Sequence, residues 1–262
     1  MKTMIGKSIM ALAAWALLGM MPATAGNIFS EIGHEILSLD REVRFGCTIG
    51  GTSPLPLSSE IRSLNKYTYK PNIAFGVAGT KRINDKWGAR LGVYFENKGM
   101  EVDANVKNYH MKITRGNQEL EGRFTGDVTT DVTQWMFTIP VQATYEASKK
   151  WSLRFGPYVS FLTSRDFSGY AHNGYLRVGN PTGDKVSLGD TPDSRGIYDF
   201  TPDMRKFQFG LDLGANWYFH KKLGIFADIS WGLTGVHHSS FKTIEQTLYP
   251  IFGTLGMVYK LK

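Results

Sequence analysis

Eight charged residues sit at even-numbered positions inside otherwise apolar, alternating segments: Arg44, Arg90, Arg154 and Lys260, with Glu96, Glu146, Asp212 and Asp228. Four cations and four anions on one face suit two kinds of chemistry. They could relay protons or ions, or they could neutralise one another inside a closed interior. Arg90, Arg154, Asp212 and Asp228 fall at middle depths of their segments. Asp212 and Asp228, on neighbouring segments, repel each other, so cations must stand close to them.

The histidines are His34, His110, His172, His220, His237 and His238. His237-His238-Ser239-Ser240, with Glu245 a few residues on, raises the prospect of a lipid-deacylating serine hydrolase. Such a site needs a carboxylate to orient the base and donors for the oxyanion. No spacing here enforces that geometry, and solvated loop residues are the simpler reading. Asp184, Asp190, Asp193, Asp199 and Asp203 could attract a divalent cation weakly, but without EF-hand spacing. There is no zinc, phosphate-loop, nucleotide or kinase pattern, so no metal or cofactor is expected. Cys47 is the single cysteine, without a disulfide partner or ligand spacing. The expectation is a protein that is not an enzyme.

Several alternating elements must position these groups. From Phe207 to Phe219 and from Leu223 to Leu233 every odd residue is apolar, and His220-Lys221-Lys222 turns between the two runs. A period of two means strands. Their length exceeds the ~5–6 residues usual in globular proteins and matches the ~9–11 that cross a bilayer. A soluble sandwich or lipocalin-like barrel is the alternative. The same odd-numbered apolar face recurs in strand 1 (42–51), strand 2 (Ile73, Phe75, Val77) and strand 3 (Trp87 to Phe95). It recurs again in strand 4 (Trp135 to Tyr145), strand 5 (Trp151 to Phe161) and, after the opening pair, strand 8 (Pro250 to Leu261). That makes an all-β, eight-stranded antiparallel up-and-down transmembrane barrel, with odd residues, Cys47 included, toward lipid.

The connections after strands 2, 4 and 6 are short and basic, whereas 52–70, 99–130, 164–205 and 235–249 are long. Short periplasmic turns with long extracellular loops characterise outer-membrane barrels. Trp87, Tyr145, Trp151, Trp217, Phe219 and Tyr259 then gather at the short-turn end as an aromatic girdle. An eight-stranded interior is only just wide enough for side chains, which favours a salt-bridged plug built on Arg44, Arg90, Glu96, Glu146, Arg154, Asp212 and Asp228 over a pathway. The region 99–130 reads as strands 3 and 4 continuing above the membrane to a turn at Gly116-Asn117. That turn makes facing residue numbers sum to an odd number, while Phe95 facing Phe137 needs an even one. A one-residue bulge, at Gly99 or Gly126, reconciles them. The stretch 164–205 is rich in Gly, Pro and Asp and shows no usable periodicity.

Lys2 and Lys7 precede an apolar run from Ile9 to Met21 and an Ala23-Thr24-Ala25 exit, which reads as a cleaved signal peptide over 1–25. Residues 26–41 form a periplasmic segment with apolar residues at helical spacing, and 42–262 the barrel. No further run approaches the ~20 apolar residues of a spanning helix. The formal charge of +7 falls to 7 − 2 = +5 once the two leader lysines are removed. On an exported barrel this surplus points to outer-membrane lipids and lipopolysaccharide phosphates rather than to nucleic acid.

Phe75-Gly76-Val77 and Leu91-Gly92-Val93-Tyr94-Phe95-Glu96-Asn97-Lys98-Gly99 resemble the second and third strands of the PorT-like outer-membrane β-barrel family. Phe137-Thr138-Ile139-Pro140-Val141 followed by Phe155-Gly156-Pro157-Tyr158-Val159 is similar to its fourth and fifth, and Leu255 to Tyr259 to its last. The resemblance implies an eight-stranded barrel in the Gram-negative outer membrane, and no single activity. The expected role is extracellular binding or a place in an outer-membrane assembly. A lipid hydrolase and a small porin-like diffusion pore are the alternatives.

Overall fold

The computed structural model describes residues 39–244 and 246–261. The signal peptide expected over 1–25, the segment up to residue 38, Glu245 and Lys262 lie outside the described residues. Eleven strands follow in order: β1 Asp40–Pro54, β2 Ile61–Thr68, β3 Asn72–Arg82, β4 Trp87–Arg115, β5 Gln118–Glu146, β6 Trp151–Val178, β7 Lys185–Leu188, β8 Gly196–Asp199, β9 Phe207–Tyr218, β10 Leu223–Gly232 and β11 Leu248–Lys260. Eight of them pair antiparallel in chain order, β1-β3-β4-β5-β6-β9-β10-β11, and β11 returns to β1 with Val43 opposite Tyr259. The sheet therefore closes on itself and leaves no edge in the ring. The three remaining strands lie outside it: β2 pairs β4, β7 pairs β6, and β8 joins both β4 and β6.

Alternation dictates the faces. Along β5, Phe137, Ile139 and Val141 point outward while Thr138, Pro140 and Gln142 are buried. The outward row continues around the ring through Phe45, Leu213, Ile229 and Leu255. The inward row carries Arg44, Arg90, Arg154 and Asn216, each at most 3 % exposed. Apolar outside and ionic inside is the inverse of a soluble barrel and suits a lipid surround.

The strands are longer than a membrane requires. β4, β5 and β6 run 29, 29 and 28 residues, so most of 99–130 and the first part of 164–205 are strand rather than loop. The 52–70 connection likewise holds β2. A one-residue bulge falls between Val106 and Tyr109 of β4, with Asn108 at φ 57 and its N–H on Thr125 Oγ1 at 3.0 Å. Next to Thr125 is Gly126, at φ 151, a conformation that only glycine adopts readily. Gly99, the other position named from the sequence, lies in unbroken register. β6 carries two further bulges, opposite Trp135–Met136 and opposite Thr125–Asp127. Each moves the inward parity by one: Leu162 is buried below the first, Phe167 and Ala171 between them, and Leu176 above the second.

Above the membrane-spanning part the inward face turns apolar. Met100, Val106, Met111, Ile113, Phe124, Val128, Val132, Phe167 and Leu176 pack into one core with Leu188, Tyr198 and Phe200 from the added strands. Met204, Val236 and Ile244 close it from the connecting segments. The long extensions are thus a folded extracellular β-structure with its own core, continuous with the barrel below.

Candidate functional site

β1, β4, β6 and β10 each contribute one inward charge or more at the same level, because antiparallel register holds equal depths side by side. Arg44 is the hub. Its Nε meets Glu42 Oε1 at 2.7 Å, Nη1 meets Asp228 Oδ2 at 3.0 Å, and Nη2 donates to Asn216 Oδ1 at 2.5 Å. The guanidinium also stacks over the Phe226 ring, 4.5 Å from its centroid. Arg90 pairs Glu42 Oε1 at 2.6 Å, donates to Gln142 Oε1 at 2.5 Å and to the Tyr94 hydroxyl. Arg154 donates to Asp228 and to Asn216. Gln142 passes the chain on by donating to Asp212, and Tyr218 donates to Glu42 Oε2 at 3.1 Å.

Three guanidiniums and three carboxylates (Glu42, Asp212, Asp228) thus occupy one layer. One strand-turn higher, Lys98 Nζ meets Glu96 Oε1 at 3.1 Å, and Thr138 donates to the same oxygen at 2.5 Å. Lys98 lies between the Tyr158 and Phe252 rings, 5.4 and 5.5 Å from their centroids. Gln208 donates to Gln134 at 3.0 Å above it, and Met100 then begins the apolar core. The free space contracts in step. A cavity of about 220 Å³ at the short-turn mouth gives way to about 40 Å³ beside Arg44, Glu96 and Lys98. The latter leaves space for little more than one or two waters.

The charged residues singled out from the sequence take different places. Arg44, Arg90, Arg154, Asp212 and Asp228 share the network. Glu96 belongs to the layer above. Glu146, with Lys260, lines the mouth outside the network. Arg90, Arg154, Asp212 and Asp228 do not form a closed quartet: Arg90 turns to Glu42, and Asp212 takes an amide partner rather than a guanidinium. The sequence reading passed over Glu42, Lys98, Gln142, Asn216 and Tyr94, though all share the even parity of the others. Glu42 faces inward by that parity, and it meets Arg90 across β3.

The aromatic residues named as a girdle cluster at the short-turn end, Trp87 with Tyr145 at 4.9 Å, Trp151 with Trp217 at 6.3 Å and Trp217 with Phe219 at 5.9 Å between ring centroids. Tyr259 stands opposite Leu223 on the same rim and is exposed.

The histidine-serine stretch does not assemble a hydrolytic site among the described residues. His237 packs against Phe167, Phe200 and Phe241, with centroids 4.6, 6.4 and 4.7 Å away. Its Nε2 is buried without a hydrogen-bond partner, and burial pushes the imidazole down to about 4. Ser239 and Ser240 are exposed. Asp190 pairs Arg195 at 2.9 Å and His172 at 3.3 Å, and no metal-holding group of three or more His, Cys, Asp or Glu occurs among the described residues.

A family model described as outer membrane protein beta-barrel domain matches residues 33–238. No curated protein matches the sequence. Among solved structures, CarO2 of Acinetobacter baumannii is 11 % identical with a TM-score of 0.40, over 85 % of this chain and 99 % of that one. Ail, the attachment invasion locus protein of Yersinia pestis, is 9 % identical with a TM-score of 0.39, over 85 % and 99 %. OprG of Pseudomonas aeruginosa is 14 % identical with a TM-score of 0.37, over 85 % and 96 %.

Proposed function

We propose, from the premise that this chain belongs to the outer membrane protein beta-barrel domain family, that it is a closed, non-enzymatic barrel that holds an extracellular β-structure at the cell surface for binding. Within that family we assign it to the PorT-like branch on its strand motifs. The observation that carries the reading is the succession of layers that obstruct the interior. An ionic layer around Arg44 is followed by Glu96 and Lys98, and then by the apolar core that starts at Met100. Ions passing through would have to break several charge-assisted hydrogen bonds and then cross hydrocarbon.

The outward apolar band contacts outer-membrane lipid. Exposed Arg62 and Lys66 on β2, just above that band, suit lipopolysaccharide phosphates. The β-wall and the extracellular structure remain available to a ligand or to a membrane-protein partner. The test is conductance of the refolded protein in planar bilayers. A closed baseline is expected across a wide voltage range, and steady, reproducible current would overturn the plug.

A further inference from the structure

The apolar core of the extracellular structure is not fully packed. It contains a partly open cavity of about 120 Å³ bordered by Met100, Val106, Met111, Val128, Phe167 and Phe200. No charged side chain lines it. The hydroxyls at its wall are already engaged. Thr130 shares a hydrogen bond of 2.7 Å with the Tyr198 hydroxyl, which donates to Thr129 O at 3.0 Å. Thr52 directs its N–H to Met100 Sδ at 3.2 Å. Burial also keeps the Tyr198 phenol neutral by raising it far above its ordinary range. Water entering this space would therefore find few partners, and interiors seldom keep such voids.

A dry apolar cavity of roughly 150 Å³ is large enough to take benzene or xenon. The present one is of that order. It borders a weakly joined seam of the wall: among the described residues β2 pairs with β4 alone, and toward β1 the Tyr67 hydroxyl donates to Gly50 O at 2.8 Å. Pro54, Ile61 and Leu248 line the cavity on that side. Exposed Leu55, Leu57 and Leu64 stand outside it.

We propose that this cavity is a binding site for one small, uncharged, apolar molecule of about the size of benzene, entering between β1 and β2. Two flexible thioethers, Met100 and Met111, let the wall adapt to the shape of the guest. The proposal deepens the reading of the extracellular structure as the binding part, and rests on it, but does not require the lumen to be closed.

The experiment is a benzene titration of the full protein in detergent, followed through ¹³C-labelled methionine methyl groups. Met100 and Met111 should shift and saturate. Met257, outward on the lipid face and half exposed, should drift in proportion to benzene dissolved in the micelle. Val128→Phe, which fills the cavity, should remove the saturable shift and leave the drift. Ala104→Leu, opposite Val128 and on the same wall, serves the same purpose should the first variant misfold. Absence of saturation at Met100 and Met111, or saturation that survives the filled cavity, would overturn the proposal. A conducting lumen in planar bilayers would instead count against the plug alone, so the two failures are distinguishable.

Discussion

Arg154 and Asp228 stand in one row of the sheet, a strand apart, and Gly214 lies between them: Gly214 faces Arg154 on β6 and Asp228 on β10. A side chain at 214 would occupy the space through which the ion pair passes. The glycine is there for close approach. Arg44 reaches the other oxygen of Asp228 from β1, at 3.0 Å, so one carboxylate ties three regions of the ring.

Removing one member of a buried ion pair costs about 3–5 kcal/mol where water is excluded, and less where it enters. Arg154→Ala should therefore lower the melting temperature in detergent. Adding Asp228→Asn should restore part of the loss, because the surplus anion is removed. Gly214→Val should destabilise as well, by forcing the pair apart without deleting either charge. Melting curves of the four proteins decide this, and an Arg154→Ala curve that overlays the wild type would contradict a dry ionic layer.

Leu213 and Ile229 face each other on β9 and β10 and point outward near the middle of the apolar band, each more than half exposed. An arginine at the bilayer midplane of a barrel costs roughly 2–4 kcal/mol. Leu213→Arg should impair folding into lipid vesicles by that order. Ile83→Arg, in the exposed short turn after β3, should be neutral. Equal folding yields for both would mean that the band is misplaced.

His237 lies outside the spanning strands, and burial among phenylalanines, with His238 nearby, lowers it to about 4. The unfolded chain, with an ordinary imidazole near 6.5, binds a proton where the folded one does not. Stability from this site is then complete above pH 6.5 and declines as pH falls toward 4. His237→Phe should flatten that slope. The check is amide exchange in the extracellular structure at pH 7 and pH 4.5, in wild type and variant. Protection that falls equally in both would assign the slope to other groups.

Most of the barrel was legible in the sequence because its information is local. Alternation from Phe207 to Leu233 sets strand, faces and hairpin within a single stretch of chain, and short basic turns repeat that unit around the ring. Even the need for a bulge followed from counting residues across the Gly116-Asn117 turn. The region 164–205 was opaque for an equally physical reason. The bulges on β6 flip its parity twice within about fifteen residues, so that Phe167 and Leu176 share an interior without sharing a period. No window sees one pattern there, although strand continues to Val178.

What only the tertiary structure decided is which charges meet. Parity placed Arg44, Arg90, Arg154, Asp212 and Asp228 inside, but pairing depends on depth, strand tilt and the curvature of the closed ring. Those brought Glu42 to Arg90 from two strands away and left Asp212 to an amide. The extracellular core is of the same kind. Met111, Phe124, Tyr198 and Val236 come from four separate parts of the chain, and none signals burial on its own. Alternation is a property of neighbours in sequence; closure makes neighbours of residues that sequence keeps far apart.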